Sequence, residues 1–140
     1  MIYFNYETEA TIPLPEDQLN SWVQQIIISE SKIEGEISYI FCDDQYLLDI
    51  NQQYLQHDTY TDIITFDYVV GDEINGDIFI SLERVLENAA IYKVSHEDEL
   101  LRVMAHGILH LCGYKDKSAD DEALMRSKED EKITLFHVER

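Results

Sequence analysis

The spacing of apolar residues along the chain predicts four strands and about five helices. Short segments rich in aromatic and β-branched residues predict strands at 2–7, 36–42, 62–70 and 76–82. Apolar residues at helical spacing predict helices at 16–29, after Asp43 and Asp44, at about 82–93, at about 97–112 and from about Ser118. Because strands and helices do not alternate strictly, this order predicts an α+β domain.

Apolar stripes mark the helix faces that should turn towards the core. In the helix at about 82–93 the stripe consists of Val85, Leu86, Ala89 and Tyr92. In the last helix, Leu124 and Met125 are expected to face inward. Residues 71–75 are expected to form a hairpin loop between the last two strands.

The helix at about 97–112 carries the clearest start and stop signals. Ser95 can accept a hydrogen bond from the first turn, and acidic residues at 97–99 suit the positive end of the helix dipole. Gly113 can adopt the left-handed conformation that ends many helices. The boundaries of this helix are therefore predicted from chemistry as well as from periodicity.

His106 and His110 lie four residues apart on this helix, so both imidazoles project from one face. This spacing allows two histidines to bind one metal ion. The neighbouring positions are mostly apolar, where an imidazole without a partner would be costly. Asp116 follows the helix end and can complete the three-ligand set of a catalytic zinc site, with Asp120 and Asp121 as alternatives.

The residue after the first histidine bears on which metal-dependent reaction the protein could catalyse. Zinc peptidases with an HExxH motif use the glutamate at that position as general base. Here the position is Gly107, so the sequence argues against a peptidase. Two histidines at this spacing also occur by chance, so the pair alone is a weak signal of a metal site.

Composition restricts the class of protein further. The chain is 45% hydrophobic and 28% charged, which is typical of one globular domain spanning residues 1–140. No apolar run is long enough to cross a membrane, and the N-terminus lacks the features of a signal peptide. Cys42 and Cys112 are expected to be buried thiols without a disulfide. These features predict a cytoplasmic protein with no membrane partner.

The net charge of −19 is distributed unevenly. Residues 1–83 hold 17 acidic residues and a single base, Lys32, whereas residues 84–140 hold nine bases and 12 acids. Phosphate groups are bound mainly by lysine and arginine. Any affinity for a polyanion is therefore expected in the second half of the chain.

Three segments stand out in the sequence: NQQYLQHDTYTDIITF at 51–66, GDIFIS at 76–81 and HGILHLCGY at 106–114. Together they resemble the YbeY endoribonuclease family of ribosomal RNA maturation factors. Residues 106–114 resemble the family signature HGxLHLxGYxH. Residues 51–66 resemble the family block NxxYRxxDxPTDVLSF, and residues 76–81 resemble its GDIxIS strand. The order and spacing of the segments also agree, so the resemblance covers most of residues 40–125.

The resemblance implies a mixed four-stranded sheet packed by helices, with a bound zinc or similar divalent ion. It implies a metal-dependent endoribonuclease that cleaves single-stranded RNA, matures the 3′ end of 16S ribosomal RNA and takes part in ribosome quality control. The expected partners are single-stranded RNA and the ribosome or its small-subunit proteins. The residues expected to bind the metal and to carry catalysis are His106, His110 and Asp116.

Two positions depart from the family pattern. Asp116 stands where the family has its third histidine; a carboxylate is an acceptable zinc ligand and should widen tolerance towards harder ions such as Mn²⁺. Leu55 stands where the family has an arginine, whose charge would offset negative charge in the transition state. The candidates to supply the missing cation are His57, Arg84, Lys115 and Lys117.

The resulting hypothesis is metal-assisted phosphodiester cleavage, with either water or the RNA 2′-hydroxyl as the nucleophile. Asp62 and Asp77 are candidates to orient a ligand or a water, and Tyr114 is a candidate to stack on a base. Two alternatives stay open. One is a ribosome-associated binding module with a structural metal, which the acidic first half and Leu55 favour. The other is a different metal-dependent hydrolase.

Overall fold

The computed structural model describes residues 1–55 and 61–138. Its elements, in chain order, are β1 (Ile2–Tyr6), α1 (Glu16–Ser29), β2 (Ile33–Cys42), α2 (Asp44–Leu55), β3 (Ile63–Asp67), β4 (Glu73–Ser81), α3 (Leu82–Tyr92), α4 (His96–Leu111) and α5 (Ala119–Val138). The described elements confirm the predicted α+β fold with four strands and five helices. The predicted and observed limits of the helices agree to within a few residues.

The four strands form one mixed sheet in the order β1-β2-β4-β3. β2 pairs in parallel with both β1 and β4, whereas β3 pairs antiparallel with β4. The loop between β3 and β4 lies at 68–72, so the predicted loop at 71–75 is wrong in its last three residues. Those residues extend β4, because their backbone continues the parallel pairing with β2.

Helices cover both faces of the sheet. The main core holds Ile78 and Ile80 of β4 together with apolar residues of α1 and α4. A smaller cluster holds Cys42, Leu47 and Ile64, with Phe79 packed against it. Because successive residues of a strand point to opposite faces, α4 and α2 lie on opposite sides of β4. The helix that carries both histidines therefore rests directly on the sheet.

Three residues expected in the core are exposed instead. Leu86 and Tyr92 of α3 are 56% and 61% exposed, and Leu124 of α5 is 49% exposed. The buried residues of α3 are Leu82, Val85 and Ala89, and Met125 of α5 is buried as predicted. Each of these helices packs through a narrower stripe than its apolar sequence suggests, because its neighbours cover only one side of it.

The remaining expectations concern thiols and membranes. Cys42 is buried, Cys112 is half-buried, and both are free. Burial raises the pKa of the Cys42 thiol to about 12 and that of the Cys112 thiol to about 11, so both are protonated at neutral pH. None of the helices in the described parts of the chain has the length and apolar character needed to span a bilayer.

Candidate metal centre

The two histidines lie on α4, whose ends are formed by Ser95 and Gly113 as predicted. The Ser95 hydroxyl accepts a hydrogen bond from the backbone N–H of Asp98 at 3.0 Å. Gly113 has a φ of 106°, in the left-handed region, and the chain reverses direction there. This turn carries the following segment back to the histidines and places Asp116 beside them.

The side chains of His106, His110 and Asp116 converge on one point. The Nε2 atoms of His106 and His110 lie 3.1 and 3.2 Å from Asp116 Oδ2. One ligand atom from each residue lies within 4.8 Å of the other two. Three ligands on a tetrahedral zinc ion lie roughly 3.3 Å apart, so this spacing fits such an ion. Among the described residues, Asp120 and Asp121 are not part of this cluster.

His106 is oriented by a carboxylate from another helix. Its Nδ1 lies 2.7 Å from Oε2 of Glu129 on α5 and donates a hydrogen bond to it, so in the neutral ring the lone pair is on Nε2. Burial lowers the pKa of His106, but the hydrogen bond and charge of Glu129, together with Asp116 and Asp62, outweigh burial and raise it. Arg102 in turn binds Oε1 of Glu129 at 2.9 Å.

His110 is oriented by the turn that follows the helix. Its Nδ1 donates to the backbone carbonyl oxygen of Tyr114 at 2.9 Å. Nε2 of His110 therefore faces Asp116, as does Nε2 of His106. Two imidazole nitrogens and one carboxylate oxygen form a donor set that suits zinc and also accepts manganese. The residues present therefore fit the divalent ion that the sequence predicts.

The cluster opens into a cavity of about 940 Å³ that reaches α2, β3, α3 and α5. Its wall carries several acids, namely Asp62, Asp67, Glu99, Asp116 and Glu129. Its basic residues are Arg102, Lys117 and Arg126. Leu55 and the exposed ring of Tyr92 add an apolar surface. A ligand in this cavity would meet the metal ligands, charged groups and an aromatic side chain.

Two carboxyl groups on this wall, those of Glu99 and Asp62, have raised pKa values. Glu99 of α4 is 4% exposed, and burial, with the charge of Asp62, raises its pKa to about 7. Burial also raises the pKa of Asp62. Glu99 can therefore hold or release a proton near neutral pH in the wall of the same cavity.

The other sequence candidates have mixed outcomes. Asp62 lines the cavity, whereas Asp77 lies in β4 and does not. Tyr114 also lies outside the cavity wall: its hydroxyl donates to Glu30 at 2.6 Å, and the Lys128 ammonium lies 5.7 Å from its ring centre. Its contacts are structural. Among the described residues that line the cavity, Tyr92 is the one with an exposed aromatic ring.

The candidate cations differ in whether they line the cavity. Lys117 lines the cavity, and Lys115 does not. Arg84 is likewise absent from the cavity wall and pairs with Asp44 and Glu87. His57 lies outside the described residues. Of the cations proposed from sequence and described here, only Lys117 is placed beside the metal centre.

The sequence prediction did not include Glu99, Arg102, Arg126 and Glu129, which place charged groups on the cavity wall. A sequence signal existed for Glu129, which follows buried Met125 by four residues and thus continues the inward stripe of α5. An acid in an apolar stripe needs a partner, and here the partner is His106. The other three have no local signal, because their partners lie on a different element or their role depends on the cavity.

The fold and the side-chain cluster define a small α+β protein with a candidate metal centre of two histidines from a helix and one carboxylate from the loop that follows it. A family model described as "Endoribonuclease YbeY" matches residues 3–137. The chain belongs to the YbeY endoribonuclease family, which confirms the resemblance found in the sequence.

Individual relatives agree with this assignment. Proteins named Endoribonuclease YbeY from Flavobacterium psychrophilum and Flavobacterium johnsoniae are 65% and 64% identical over 140 residues, covering 100% of this chain and 99% and 100% of theirs. The solution structure of TM1509 from Thermotoga maritima matches with a TM-score of 0.70 and 26% identity. That match covers 99% of this chain and 91% of the other.

Proposed function

We propose that this chain is a metal-dependent endoribonuclease that cleaves single-stranded RNA. The observation that carries the proposal is the convergence of His106 Nε2, His110 Nε2 and Asp116 Oδ2 at the mouth of a polar cavity. The family match over residues 3–137 supports treating residues 1–140 as one catalytic domain. The family name supports RNA as the substrate.

Zinc is the proposed ion, with manganese as an acceptable substitute, and its ligands are His106, His110 and Asp116. The ion would supply Lewis acidity, which offsets charge on a phosphoryl oxygen and lowers the pKa of water. Glu129 and the carbonyl of Tyr114 fix the ring orientations, so both Nε2 lone pairs are held ready for the ion.

The other cavity residues would act on the RNA and on protons. Glu99 can hold a proton near neutral pH and is the group best suited to exchange one with the nucleophile or leaving group. Tyr92, with 61% of its surface exposed, offers a face on which a base can stack. Such stacking requires an unpaired base, which fits a single-stranded substrate.

The proposed biological role is maturation of the 3′ end of 16S ribosomal RNA and quality control of ribosomes. The family resemblance supports this role, in which the protein would act in the cytoplasm and bind the ribosome or small-subunit ribosomal proteins. The 17 acidic residues of the segment 1–83, which has one base, suit contact with a basic ribosomal protein.

A second candidate function is a ribosome-associated binding module whose metal is structural. Two observations favour it: the acidic first half of the chain, and the presence of Leu55 on the cavity wall. A leucine there cannot offset the charge of a phosphate in the transition state.

A cleavage assay separates the two functions. Purified protein loaded with zinc or manganese is given single-stranded RNA, and the same assay is run with His110→Ala and Asp116→Asn. The endoribonuclease should cleave RNA at a rate reduced at least about 100-fold in His110→Ala, because the ion loses a ligand. Equal inactivity of parent and variants would favour the binding module. Cleavage that persists in a His106→Ala/His110→Ala double variant would refute the proposed site.

A further inference from the structure

The acidic wall of the cavity beside the candidate metal centre should repel the phosphates of RNA. Its wall carries five acids, and an RNA strand brings one negative charge per phosphate. A bound divalent ion offsets part of this charge at the ligand cluster only. Phosphates away from the ion need cations whose charge is not already used by protein carboxylates.

Arg102 does not meet this need. Its Nη1 lies 2.9 Å from Glu129 and its Nη2 lies 2.6 Å from Asp130, so both ends of the guanidinium bind carboxylates. Its function is to hold Glu129 against His106. Moving Arg102 to a phosphate would release the group that orients a metal ligand.

Arg126 lines the same cavity but, unlike Arg102, is not held by a carboxylate of the described residues. It lies on α5 three residues before Glu129, on the same side of the helix, and it lines the same cavity. Its side chain is exposed, and no carboxylate among residues 1–55 and 61–138 forms an ion pair with it within 4.0 Å. Arg126 and the buried Glu99 line the same cavity.

We propose that Arg126 binds a backbone phosphate of single-stranded RNA next to the metal centre. This inference rests on the proposed endoribonuclease function and names the residue that holds the strand. A guanidinium suits the task because it stays charged and can donate two parallel hydrogen bonds to one phosphate. Lys117, which lies on the same wall but on a loop, would contribute a weaker and less directed contact.

Arg126 also lies on the helix that orients His106, so it is well placed to position a phosphate relative to the candidate metal centre. It shares α5 with Glu129, which orients His106, so one helix would align the phosphate and a metal ligand together. A strand held by Arg126 would present its bases across the cavity, where Tyr92 offers an exposed ring. Phosphate contacts of this kind set register rather than sequence preference.

The test measures equilibrium binding as well as cleavage. Zinc-loaded protein is titrated into a fluorescent 2′-O-methyl oligoribonucleotide, and anisotropy is recorded at several salt concentrations. Three variants are compared with the parent: Arg126→Gln, Arg126→Lys and Lys115→Gln. Lys115 is exposed and lies outside the cavity wall, so its variant is a control that removes the same charge elsewhere. Unfolding midpoints establish that all variants are folded.

We expect Arg126→Gln to weaken binding by about tenfold and to reduce the salt slope by about 0.7, the value for one phosphate contact on a single strand. Arg126→Lys should restore the salt slope but only part of the affinity. On cleavable RNA, the same loss should appear mainly in KM. Lys115→Gln should change binding less than twofold.

Two results would overturn the inference while leaving the proposed function intact. One is an Arg126→Gln variant that binds and cleaves like the parent. The other is an equal loss in Lys115→Gln, which would show general electrostatic attraction. A parent protein that binds no RNA would overturn both the inference and the proposed function. A parent that binds RNA through Arg126 but never cleaves it would overturn the endoribonuclease proposal alone.

Discussion

Gly107, between the two histidines of α4, has no room for a side chain. A Cβ at this position would lie 2.9 Å from Cγ2 of Ile78 and 3.1 Å from Cδ1 of Ile63. The glycine lets α4 approach the sheet closely. The position at which an HExxH peptidase carries its catalytic glutamate therefore faces β4 in this protein. The structure thus adds a steric reason to the chemical argument against a peptidase.

Glu129 orients a candidate metal ligand from a distant part of the sequence. It accepts from His106 at 2.7 Å and is held by Arg102 at 2.9 Å. We expect Glu129→Gln to lower the affinity for zinc by 10- to 100-fold, because a neutral amide orients the imidazole less strongly and reduces its basicity. Competition with a chromophoric chelator measures this affinity.

A matched control removes an acid of α5 that is exposed. Glu122→Gln leaves the contacts of His106 unchanged and should keep the parent affinity for zinc within about twofold. An equal loss in both variants would mean that long-range charge, and not the hydrogen bond, sets the affinity.

The buried carboxyl group of Glu99 should make stability depend on pH. Burial and the charges of Asp62 and Glu129 raise its pKa from 4.5 to about 7, while Arg102 and Arg126 oppose them. Between these pH values the folded protein binds more protons than the unfolded chain, so stability falls as pH rises. Glu99→Gln should remove this loss. The free energy of unfolding of the variant should therefore rise relative to that of the parent between pH 4.5 and 7, by at most about 3 kcal/mol. Above pH 7 the difference should stay constant.

Urea unfolding of chelator-treated protein across this pH range tests the sign of the effect. Glu97→Gln is the control, because Glu97 lies on the same helix but is exposed. Its stability should run parallel to that of the parent from pH 5 to 8, lower by at most about 1 kcal/mol because one charge at the positive end of the helix dipole is lost. A Glu99→Gln variant whose stability relative to the parent is constant from pH 4 to 8 would contradict the pKa assigned to Glu99.

At the scale of elements, the metal centre depends on how α4 rests on the sheet. Gly76 of β4 lies under the end of α4, where a Cβ would be 2.7 Å from the Phe66 carbonyl oxygen and 2.9 Å from Leu111 Cδ1. The glycine therefore permits two close approaches at once, that of β3 and that of α4. Both elements contribute to the cavity wall.

We expect Gly76→Ala to destabilise the protein by about 1–3 kcal/mol, because the added methyl group meets backbone as well as side chain. The free energy of unfolding in urea measures this change. Glu73→Ala, at an exposed position of the same strand, should stay within about 0.5 kcal/mol of the parent. An unchanged unfolding midpoint for Gly76→Ala would show that β3 and α4 can shift without cost.

At the scale of the whole molecule, charge is separated along the chain. The segment 1–83 has a single base, and the basic residues of the cavity wall, Arg102, Lys117 and Arg126, all come from the segment after it. Helices α4 and α5, with the loop between them, therefore bring the candidate metal ligands and these cations to one cavity of an acidic protein. The expectation that polyanion affinity lies in the second half stays a prediction, and the Arg126 variants test it.

The sequence by itself determined the local features of this protein. The limits of α1, the cap at Ser95, the reversal at Gly113 and the pairing of His106 with His110 were all predicted from residues within one or two turns of each other. Asp116 belongs with them, because only six residues separate it from His110. Short-range backbone geometry leaves such groups few alternatives.

Only the tertiary structure decided which distant groups meet. Glu129 contacts His106 across 23 residues, and Arg102 reaches Asp130 across 28. The strand order β1-β2-β4-β3, the exposure of Tyr92 and the position of Arg126 on the cavity wall likewise follow from packing. Periodicity describes one element at a time, whereas the neighbour of each face depends on how all the elements share one core. The convergence of His106, His110 and Asp116 could therefore be predicted from local spacing, but the residues that orient the two imidazoles could not.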